Sequence, residues 1–253
     1  MIISFKNKVA FVTGAAGGIG FATAQAFAEA GAAVAVADIN EESANAAADT
    51  LIKAGHQALG IGCDVADEAQ VAAAIDKTVS AFGRLDAAYN NAGLHAPSIE
   101  TADALAEDFD RVIAVNLRGV WACMKHELRQ MRKQGSGVIV NCSSQSGLAG
   151  IAGLGAYTAS KHGVIGLTKA AALEYARKGI RINAVCPGTV STPMVAKAMA
   201  DHPASMQAVI DDIPLGRMGT PEEIASAVLW LCSPGAGFMI GQIIAPDGGY
   251  CAR

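Results

Sequence analysis

The chain has 253 residues and a formal net charge of -4; it is 52% hydrophobic but only 5% aromatic. This length fits a single domain, and the alanine-, valine- and glycine-rich composition is typical of small helices packed on a buried parallel sheet in a soluble protein. With no long run of like charge, the chain has neither nucleic acid nor an anionic membrane as an obvious partner, so we expect a small-molecule substrate.

The spacing of the cysteines and histidines bears on the cellular compartment and on metal binding. The six cysteines contain no CxxC pair and follow no secretory leader, which indicates reduced thiols and a cytoplasmic protein. The five histidines form no HxxxH or HExxH pair, so we expect no metal site. The uncharged stretch at 134–160 is interrupted by polar side chains and glycines, and we do not expect it to span a membrane.

Short apolar runs alternate with helical segments along the whole chain. The runs lie at 9–12, 33–37, 58–61, 85–89, 138–140, 180–185 and 242–245. Connections of this length cross over to a parallel neighbour, and right-handed crossovers place helices on both faces of the sheet. We therefore expect an α/β fold: one Rossmann-type, doubly wound domain over residues 1–253 with a seven-stranded parallel sheet.

Helix starts are marked by capping residues at three places. Asn40 and Asp67 precede glutamates, and Thr220 is followed by a proline and two acidic residues. Between 187 and 219, four prolines break the pattern into short helical pieces. We interpret about 188–219 as a mobile lid over the substrate.

The turn after the first strand, TGAAGGIG at 13–20, has the features of a phosphate-binding turn. Gly14 allows a tight turn, Gly18 lets the backbone approach a diphosphate, and Gly20 lets the following helix pack on the sheet. Free amides at the start of that helix would face the phosphates. The spacing is GxxxGxG rather than GxGxxG, so by itself it also fits an ordinary glycine-rich turn.

Asp38 ends the second predicted strand. A carboxylate at this distance from the glycines can accept hydrogen bonds from the adenosine ribose hydroxyls. No arginine or lysine occurs at 15–17 or at Ile39 to neutralise a 2'-phosphate, so we expect NAD rather than NADP. The alternative is that Asp38 only caps a strand end.

Tyr157 and Lys161 are four residues apart and share one face of a predicted helix. A free tyrosine has a pKa of about 10, which is too high for an efficient base near neutrality. At an effective dielectric of about 20, a cation at roughly 4 Å is worth about 4 kcal/mol, or about three pKa units. The pair therefore indicates a proton-transfer site, although it also fits an ordinary amphipathic helix.

These features occur in the order found in the short-chain dehydrogenase/reductase family, which the chain resembles from end to end. The matching motifs are TGxxxGIG at 13–20, CDV at 63–65, NNAG at 90–93, Asn116, VIVNCSS at 138–144, YxxxK at 157–161 and PGTVST at 187–192. The resemblance implies an NAD(H)-dependent oxidoreductase that interconverts secondary alcohols and ketones.

The resemblance implies four catalytic residues: Asn116, Ser144, Tyr157 and Lys161. Tyr157 would exchange the hydroxyl proton, and Lys161 would stabilise its phenolate and bind the nicotinamide ribose. Ser144 would orient the substrate oxygen, and Asn116 would hold a water that relays protons. Ser143 is an alternative active hydroxyl; we choose Ser144 because its position thirteen residues before Tyr157 matches the family spacing.

The resemblance also implies a set of cofactor contacts. Asp64 and Val65 would hold the adenine, Asn91 would steady the central strand, and Val190 and Thr192 would bind the nicotinamide carboxamide. The full expected set is Gly14, Gly18, Ile19, Gly20, Asp38, Ile39, Asp64, Val65, Asn91, Ala92, Gly93, Tyr157, Lys161, Pro187, Gly188, Val190, Thr192 and Met194.

The substrate is less constrained by the sequence. Candidates for the pocket wall are His95, Gln145, Leu148, Met194, Val195, Met199 and Met206. The methionines favour an adaptable apolar wall for a neutral cyclic or alkyl alcohol, diol or ketone, but they equally fit packing of the lid on the core. His95 could donate a hydrogen bond to a second substrate oxygen, although a lone loop histidine is more often solvated.

Two other functions remain open. A 3-oxoacyl-carrier-protein reductase would dock an acidic carrier, for which the basic cluster of Arg129, Arg132 and Lys133 is available. Cations are favoured at a helix C-terminus in any case, and that branch usually prefers NADPH. A non-catalytic NAD-binding sensor would keep the fold but lose part of the four-residue set.

By the same resemblance we expect a homotetramer. The helices around 104–133 and 156–178 would form one interface, and 241–249 the other. Pro246 stands where the family more often has a branched aliphatic residue, and it removes an amide donor next to an expected edge strand.

Overall fold

The expected seven strands form in the computed structural model, which describes residues 3–95, 97–201 and 203–252, without the side chains of residues 194, 197, 198, 204 and 205. The strands are β1 Val9–Thr13, β2 Ala33–Asp38, β3 Ala58–Gly62, β4 Ala87–Asn90, β5 Gly137–Cys142, β6 Ile180–Val185 and β7 Ile243–Ile244. They pair in parallel in the order β3-β2-β1-β4-β5-β6-β7. The predicted doubly wound sheet is confirmed.

Helices cover both faces of this sheet. The α-helices of the described residues are α1 Gly18–Glu29, α2 Glu41–Lys53, α3 Glu68–Phe82, α4 Ala106–Ile113, α5 Val120–Gln134, α6 Gly155–Tyr175, α7 Pro193–Asp201, α8 Pro203–Asp211 and α9 Pro221–Cys232. One core layer joins α1, α2 and α9 to the sheet, and the other joins α3, α5 and α6. Because both faces are covered, the central strands are apolar on both sides, as in β1, where every residue is buried.

The predicted helix caps are confirmed by hydrogen bonds. Asn40 accepts from the Ser43 amide at 2.9 Å, and Asp67 accepts from the amides of the first turn of α3. Thr220 and Glu223 form a reciprocal capping box at the start of α9. The segment predicted as short helical pieces contains two nine-residue helices, α7 and α8.

Strands β4 and β7 are shorter than predicted, whereas β1, β2, β3 and β5 extend one or two residues beyond the predicted apolar runs. Strand β4 begins at Ala87 rather than Leu85, because both backbone groups of Leu85 pair with the side-chain amide of Gln134. Strand β7 contains only two residues and ends before Pro246, which has no amide to donate to a ladder. The carboxyl ends of the central strands lie within two residues of the predicted ends.

None of the helices in the described part of the chain combines the length and the apolar character needed to cross a bilayer.

A buried polar cluster lies between the sheet and its helices. The Asn90 amide donates to a carboxylate oxygen of Glu127 at 3.1 Å and to the Asn141 side chain at 2.9 Å. The Asn141 amide in turn donates to the hydroxyl of Thr168 at 2.9 Å. Glu127 is fully buried and its second carboxyl oxygen has no partner, and burial raises the pKa of this carboxyl to about 8. The cluster thus links α5, β4, β5 and α6 through an acid that is predominantly protonated at neutral pH.

Candidate active site

A cavity of about 800 Å³ opens at the carboxyl ends of the central strands. The strand order reverses between β1 and β4, and ligands of doubly wound sheets bind in the crevice at that switch point. The cavity extends from the glycine turn after β1 to the helices α7 and α8. It is therefore large enough to hold a dinucleotide together with a small molecule.

The glycine turn forms the floor at one end of the cavity. Gly14 and Gly18 adopt positive φ angles of 61° and 54°, which side-chain-bearing residues rarely adopt. A Cβ on Gly20 would overlap the carbonyl oxygen of Gly14. Gly20 thus does not line the cavity but allows α1 to start against the turn, which leaves the first amides of α1 facing the cavity.

Asp38 lies beside this turn at the end of β2. Its carboxylate accepts hydrogen bonds from the Ala16 amide at 3.1 Å and from the Asn40 amide at 3.2 Å. Both bonds hold the negative charge at the cavity wall, next to Ile39. A diol such as ribose can donate to a carboxylate held in this way.

Asn91 connects the glycine turn to β4. Its side-chain amide donates to the carbonyl oxygens of Thr13 at 3.0 Å and Gly14 at 3.1 Å. Its backbone amide donates to the Thr13 hydroxyl at 3.0 Å. These bonds satisfy backbone groups that would otherwise be unpaired at the end of β1, and they keep the two strand ends adjacent.

Ser144, Tyr157 and Lys161 meet at the other end of the cavity, and all three side chains line it. The Lys161 ammonium donates to the Cys142 carbonyl at 2.9 Å and lies 5.6 Å from the centroid of the Tyr157 ring. A Cβ on Gly93 would lie 3.4 Å from the same nitrogen, so the glycine leaves room for the ammonium. The amine therefore lies on the tyrosine side of α6.

The two candidate serines differ in their hydrogen bonds. The Ser143 hydroxyl donates its proton to the Lys161 carbonyl at 2.8 Å. The Ser144 hydroxyl accepts from the Ser146 amide at 3.1 Å, which leaves its own proton for a ligand. This geometry favours Ser144 as the group that faces a substrate oxygen.

Asn116 is fully buried and is not among the cavity-lining residues. It lies in a π-helical stretch, Ala114–Gly119, between α4 and α5. Its side chain accepts from the Leu94 amide and donates to the Leu94 carbonyl, both at 2.8 Å, and donates to the Ser160 hydroxyl at 3.3 Å. The side chain thus anchors the loop after NNAG to α6.

His95 lies on the catalytic side of that loop. Its imidazole stacks on the Tyr157 ring with centroids 3.9 Å apart and ring planes 19° apart. Although the residue is exposed overall, desolvation of its imidazole, and then the nearby Lys161 ammonium, lowers the pKa of His95 below its ordinary value. The imidazole is therefore neutral at neutral pH and covers one face of the phenol.

Most of the expected site residues line the cavity. Those that do so are Gly14, Gly18, Ile19, Asp38, Ile39, Asp64, Val65, Asn91, Ala92, Gly93, His95, Ser144, Gln145, Tyr157, Lys161, Pro187, Gly188, Val190, Thr192, Val195 and Met206. Leu148, which is 42% exposed, and Met199 do not line it. The side chain of Met194 lies outside the described part of the chain.

Sequence reasoning missed several wall residues, among them Ile151, Leu154, Val209, Asp212 and Tyr250. They come from the segment before α6, the end of α8 and the C-terminal segment. None of them belongs to a motif, so no local signal in the sequence identifies them.

Known proteins resemble this chain over its full length. A family model described as enoyl-(acyl carrier protein) reductase matches residues 14–251. The cis-4-hydroxycyclohexanecarboxylate dehydrogenase of Sinomonas cyclohexanicum is 47% identical over 249 residues, which cover 98% of each chain. The cyclohexanol dehydrogenase of Acinetobacter sp. (strain SE19) is 42% identical, and the match covers 98% of this chain and 97% of the relative.

Solved structures agree with this. The crystal structure of levodione reductase has a TM-score of 0.94 and 38% identity, covering 98% of this chain and 99% of that one. A chain from Agrobacterium tumefaciens, described as a proposed 2-deoxy-D-gluconate 3-dehydrogenase with bound NADP, has a TM-score of 0.90 and 35% identity, covering 100% and 99%. The protein therefore belongs to the short-chain dehydrogenase/reductase family, whose oxidoreductases use a nicotinamide cofactor.

Proposed function

We propose that the protein interconverts a neutral ring-shaped secondary alcohol and its ketone with NAD(H), and that Tyr157 is the general acid and base. The observation that carries the proposal is that Ser144, Tyr157 and Lys161 share one cavity with the glycine turn and Asp38. Similarity to dehydrogenases named for cyclohexanol and a hydroxycyclohexanecarboxylate supports a ring substrate.

The residues of the cavity fit a nicotinamide dinucleotide. The start of α1 offers amides to a diphosphate, Asp38 offers acceptors to ribose hydroxyls, and Lys161 offers a cation near a second ribose position. Asp64 and Val65 would flank the adenine, and Val190 and Thr192 the nicotinamide. When bound, the nicotinamide supplies or accepts the hydride.

The chain's own residues manage the proton. In oxidation, Tyr157 as phenolate accepts the proton of the substrate hydroxyl; in reduction, it returns that proton to the ketone oxygen. The Lys161 ammonium, fixed by the Cys142 carbonyl, favours the phenolate electrostatically. The Ser144 hydroxyl donates a hydrogen bond to the substrate oxygen and holds it near Tyr157. Asn116 would carry a water-mediated relay only through its backbone, because its side chain is bonded to Leu94.

NAD is the cofactor we propose, because Asp38 is fixed at the cavity wall by two backbone amides. A 2'-phosphate would add negative charge beside it. A related structure holds NADP, so the fold itself does not exclude the 2'-phosphate. Discrimination then depends on local charge, and Asp38 is the group that resists the phosphate.

A spectrophotometric assay with cyclohexanol tests these proposals together. We expect kcat/KM with NAD to exceed that with NADP by about 100-fold. Asp38→Asn should reduce this ratio about tenfold, because repulsion between one half-buried carboxylate and the 2'-phosphate contributes about 1–2 kcal/mol. Asp49→Asn, an exposed carboxylate on α2, is the control and leaves the ratio unchanged. Equal use of NADP by the unmodified protein would contradict the NAD assignment.

The carrier-protein alternative meets a geometric obstacle. Arg129, Arg132 and Lys133 lie in the last turns of α5, which leads into the amino end of β5. The cavity lies at the carboxyl ends of the strands, on the opposite edge of the sheet. The basic cluster therefore does not flank the cavity entrance.

A non-catalytic sensor would bind NADH tightly but oxidise no alcohol in the same assay.

We also propose a homotetramer. Large apolar side chains are exposed on the helices named for the first interface: Phe109 on α4, Trp121 on α5 and Leu173, which is 80% exposed, on α6. Phe238, in the segment that leads to the second interface, is fully exposed. Exposed apolar residues on packed helices favour association. Light scattering should give four times the mass of 25.7 kDa, and a monomeric mass would contradict the proposal.

We propose a cytoplasmic location. The cysteines of the chain are free thiols, and five of them are buried. Burial raises the pKa of Cys63, Cys186 and Cys232, so these thiols are protonated and unreactive at neutral pH.

A further inference from the structure

Gln145 lies at the substrate end of the cavity, and the proposed proton and hydride transfers do not use its side-chain amide. It directly follows Ser144, lines the same cavity and is 9% exposed. Its side-chain oxygen is buried, and no donor among the described residues hydrogen-bonds to it. Leaving a buried acceptor unpaired costs free energy, so a ligand that donates to this amide would gain that amount back.

The backbone of Gln145 is firmly held. Its amide donates to the Pro187 carbonyl at 2.9 Å, and its carbonyl accepts from the amides of Leu148 and Ala149, each at 3.0 Å. The side chain therefore extends from a fixed position, and only its own torsions can reorient the amide within the cavity. Such a group can discriminate between ligands, because little is lost in ordering it.

The charge around this end of the cavity favours a neutral partner. Among the described residues that line the cavity, Lys161 is the only lysine or arginine, and its ammonium is bonded to Cys142. The imidazole of His95 stacks on Tyr157, and desolvation together with the Lys161 ammonium lowers its pKa, which disfavours a second cation at this end. Asp212 adds a carboxyl group at the end of α8. A substrate carboxylate would thus find no spare cation here, whereas a hydroxyl needs none.

Much of the remaining wall is apolar, although Tyr250 also lines the cavity. The apolar part is formed by Ile151, Leu154, Val195, Met206 and Val209. These side chains suit the carbon skeleton of a ring and offer it no hydrogen bond, so a second polar substituent on that ring has few partners to choose from.

We propose that Gln145 binds a second hydroxyl group on the ring alcohol, so that the preferred substrates are ring diols rather than simple ring alcohols or hydroxy acids. This inference rests on the proposed function, since it concerns the same cavity and the same reaction. A hydroxyl both donates and accepts, so it can accept from the Gln145 side-chain nitrogen, or donate to the amide oxygen once rotation about the terminal side-chain torsion turns that oxygen into the cavity. The relative named for a hydroxycyclohexanecarboxylate would then differ in specificity from this chain.

Steady-state kinetics with NAD on the unmodified protein test the inference first. The substrates are cyclohexanol, the 1,2-, 1,3- and 1,4-cyclohexanediols and 4-hydroxycyclohexanecarboxylate. We expect the best diol to exceed cyclohexanol about tenfold in kcat/KM, the factor that one buried hydrogen bond contributes. The hydroxy acid should be the poorest. Cyclohexanol equal to the best diol, or the hydroxy acid as the best substrate, would overturn the inference.

The Gln145→Met variant tests whether the preference for diols depends on the Gln145 amide. Gln145→Met keeps the side-chain volume but removes the amide, and we expect it to raise KM for the best diol and bring the diol-to-cyclohexanol ratio close to one. Gln25→Leu, an exposed glutamine on α1, is the control. An unchanged ratio in Gln145→Met overturns the inference, as does an effect confined to KM for NAD, which would assign the amide to the cofactor.

Failure of the proposed function would give a different result from failure of the Gln145 proposal. In that case the unmodified protein would reduce no NAD with any of these ring alcohols. Turnover of cyclohexanol without a diol preference refutes only the role of Gln145.

Discussion

Tyr157→Phe should lower kcat by about 1,000-fold or more in the oxidation of ring alcohols, the scale of a lost general acid–base group. The substitution removes one oxygen and keeps the ring that stacks on His95. The buried helix face around it is therefore preserved, and the loss reports on proton transfer. Stopped-flow or steady-state absorbance of NADH gives the rate.

The binding of NADH separates this effect from a damaged site. Because the phenol oxygen is only one of many cavity groups, Tyr157→Phe should bind NADH within a few-fold of the unmodified protein, as measured by fluorescence titration. Tyr175→Phe, on the same helix, is the matched control and should keep full turnover. If Tyr157→Phe retained more than a tenth of the activity, another group would have to be the base.

Glu127→Gln should stabilise the protein by roughly 3 kcal/mol at pH 7. The pKa of this carboxyl is about 8 in the folded state and 4.5 in the unfolded state, so at pH 7 the unfolded chain must take up a proton in order to fold. That proton uptake opposes folding. Burial is the main cause of the raised pKa, and the hydrogen bond from Asn90 opposes it only in part. A neutral amide of the same shape avoids this cost.

The sign of the pH dependence follows from the two pKa values. Below pH 4.5 both states are protonated and the carboxyl costs nothing; between pH 4.5 and about 8 only the unfolded state releases its proton, so stability falls as pH rises. The advantage of Glu127→Gln should therefore be near zero at pH 4 and reach its maximum above pH 8.

Chemical denaturation at a fixed protein concentration, from pH 4 to pH 9, measures this difference. The exposed Glu42→Gln serves as control and should show no such trend. A Glu127→Gln protein whose stability tracks the unmodified protein at every pH would show that the buried carboxyl does not titrate as its surroundings indicate.

The sequence predicted the architecture well because the signals for it are local. A buried strand such as Val9–Thr13 is apolar up to its last residue, and capping residues such as Asn40 act on amides three residues away. Two boundaries depended on features outside the apolar runs: the side chain of the distant Gln134 occupies the backbone groups of Leu85, so β4 begins later, and the proline after Ala245 ends β7 early.

Motif spacing likewise anticipated most of the residues that line the cavity. The turn at 13–20, Asp38 and the YxxxK pair all lie at strand ends or on one helix face, so sequence distance determines their place. Asn116 is the exception among the four catalytic candidates, because its side chain turns to Leu94 instead of the cavity.

By itself the sequence determined the doubly wound sheet, the family and most of the motifs that line the cavity, since each depends on periodicity and short spacings. Only the tertiary structure decided that His95 covers Tyr157, that the Gln145 oxygen lacks a partner, that Tyr250 and Asp212 reach the cavity, and that Glu127 is buried. The physical reason is that burial and pairing of these side chains depend on segments far away in the chain, so no local pattern encodes them.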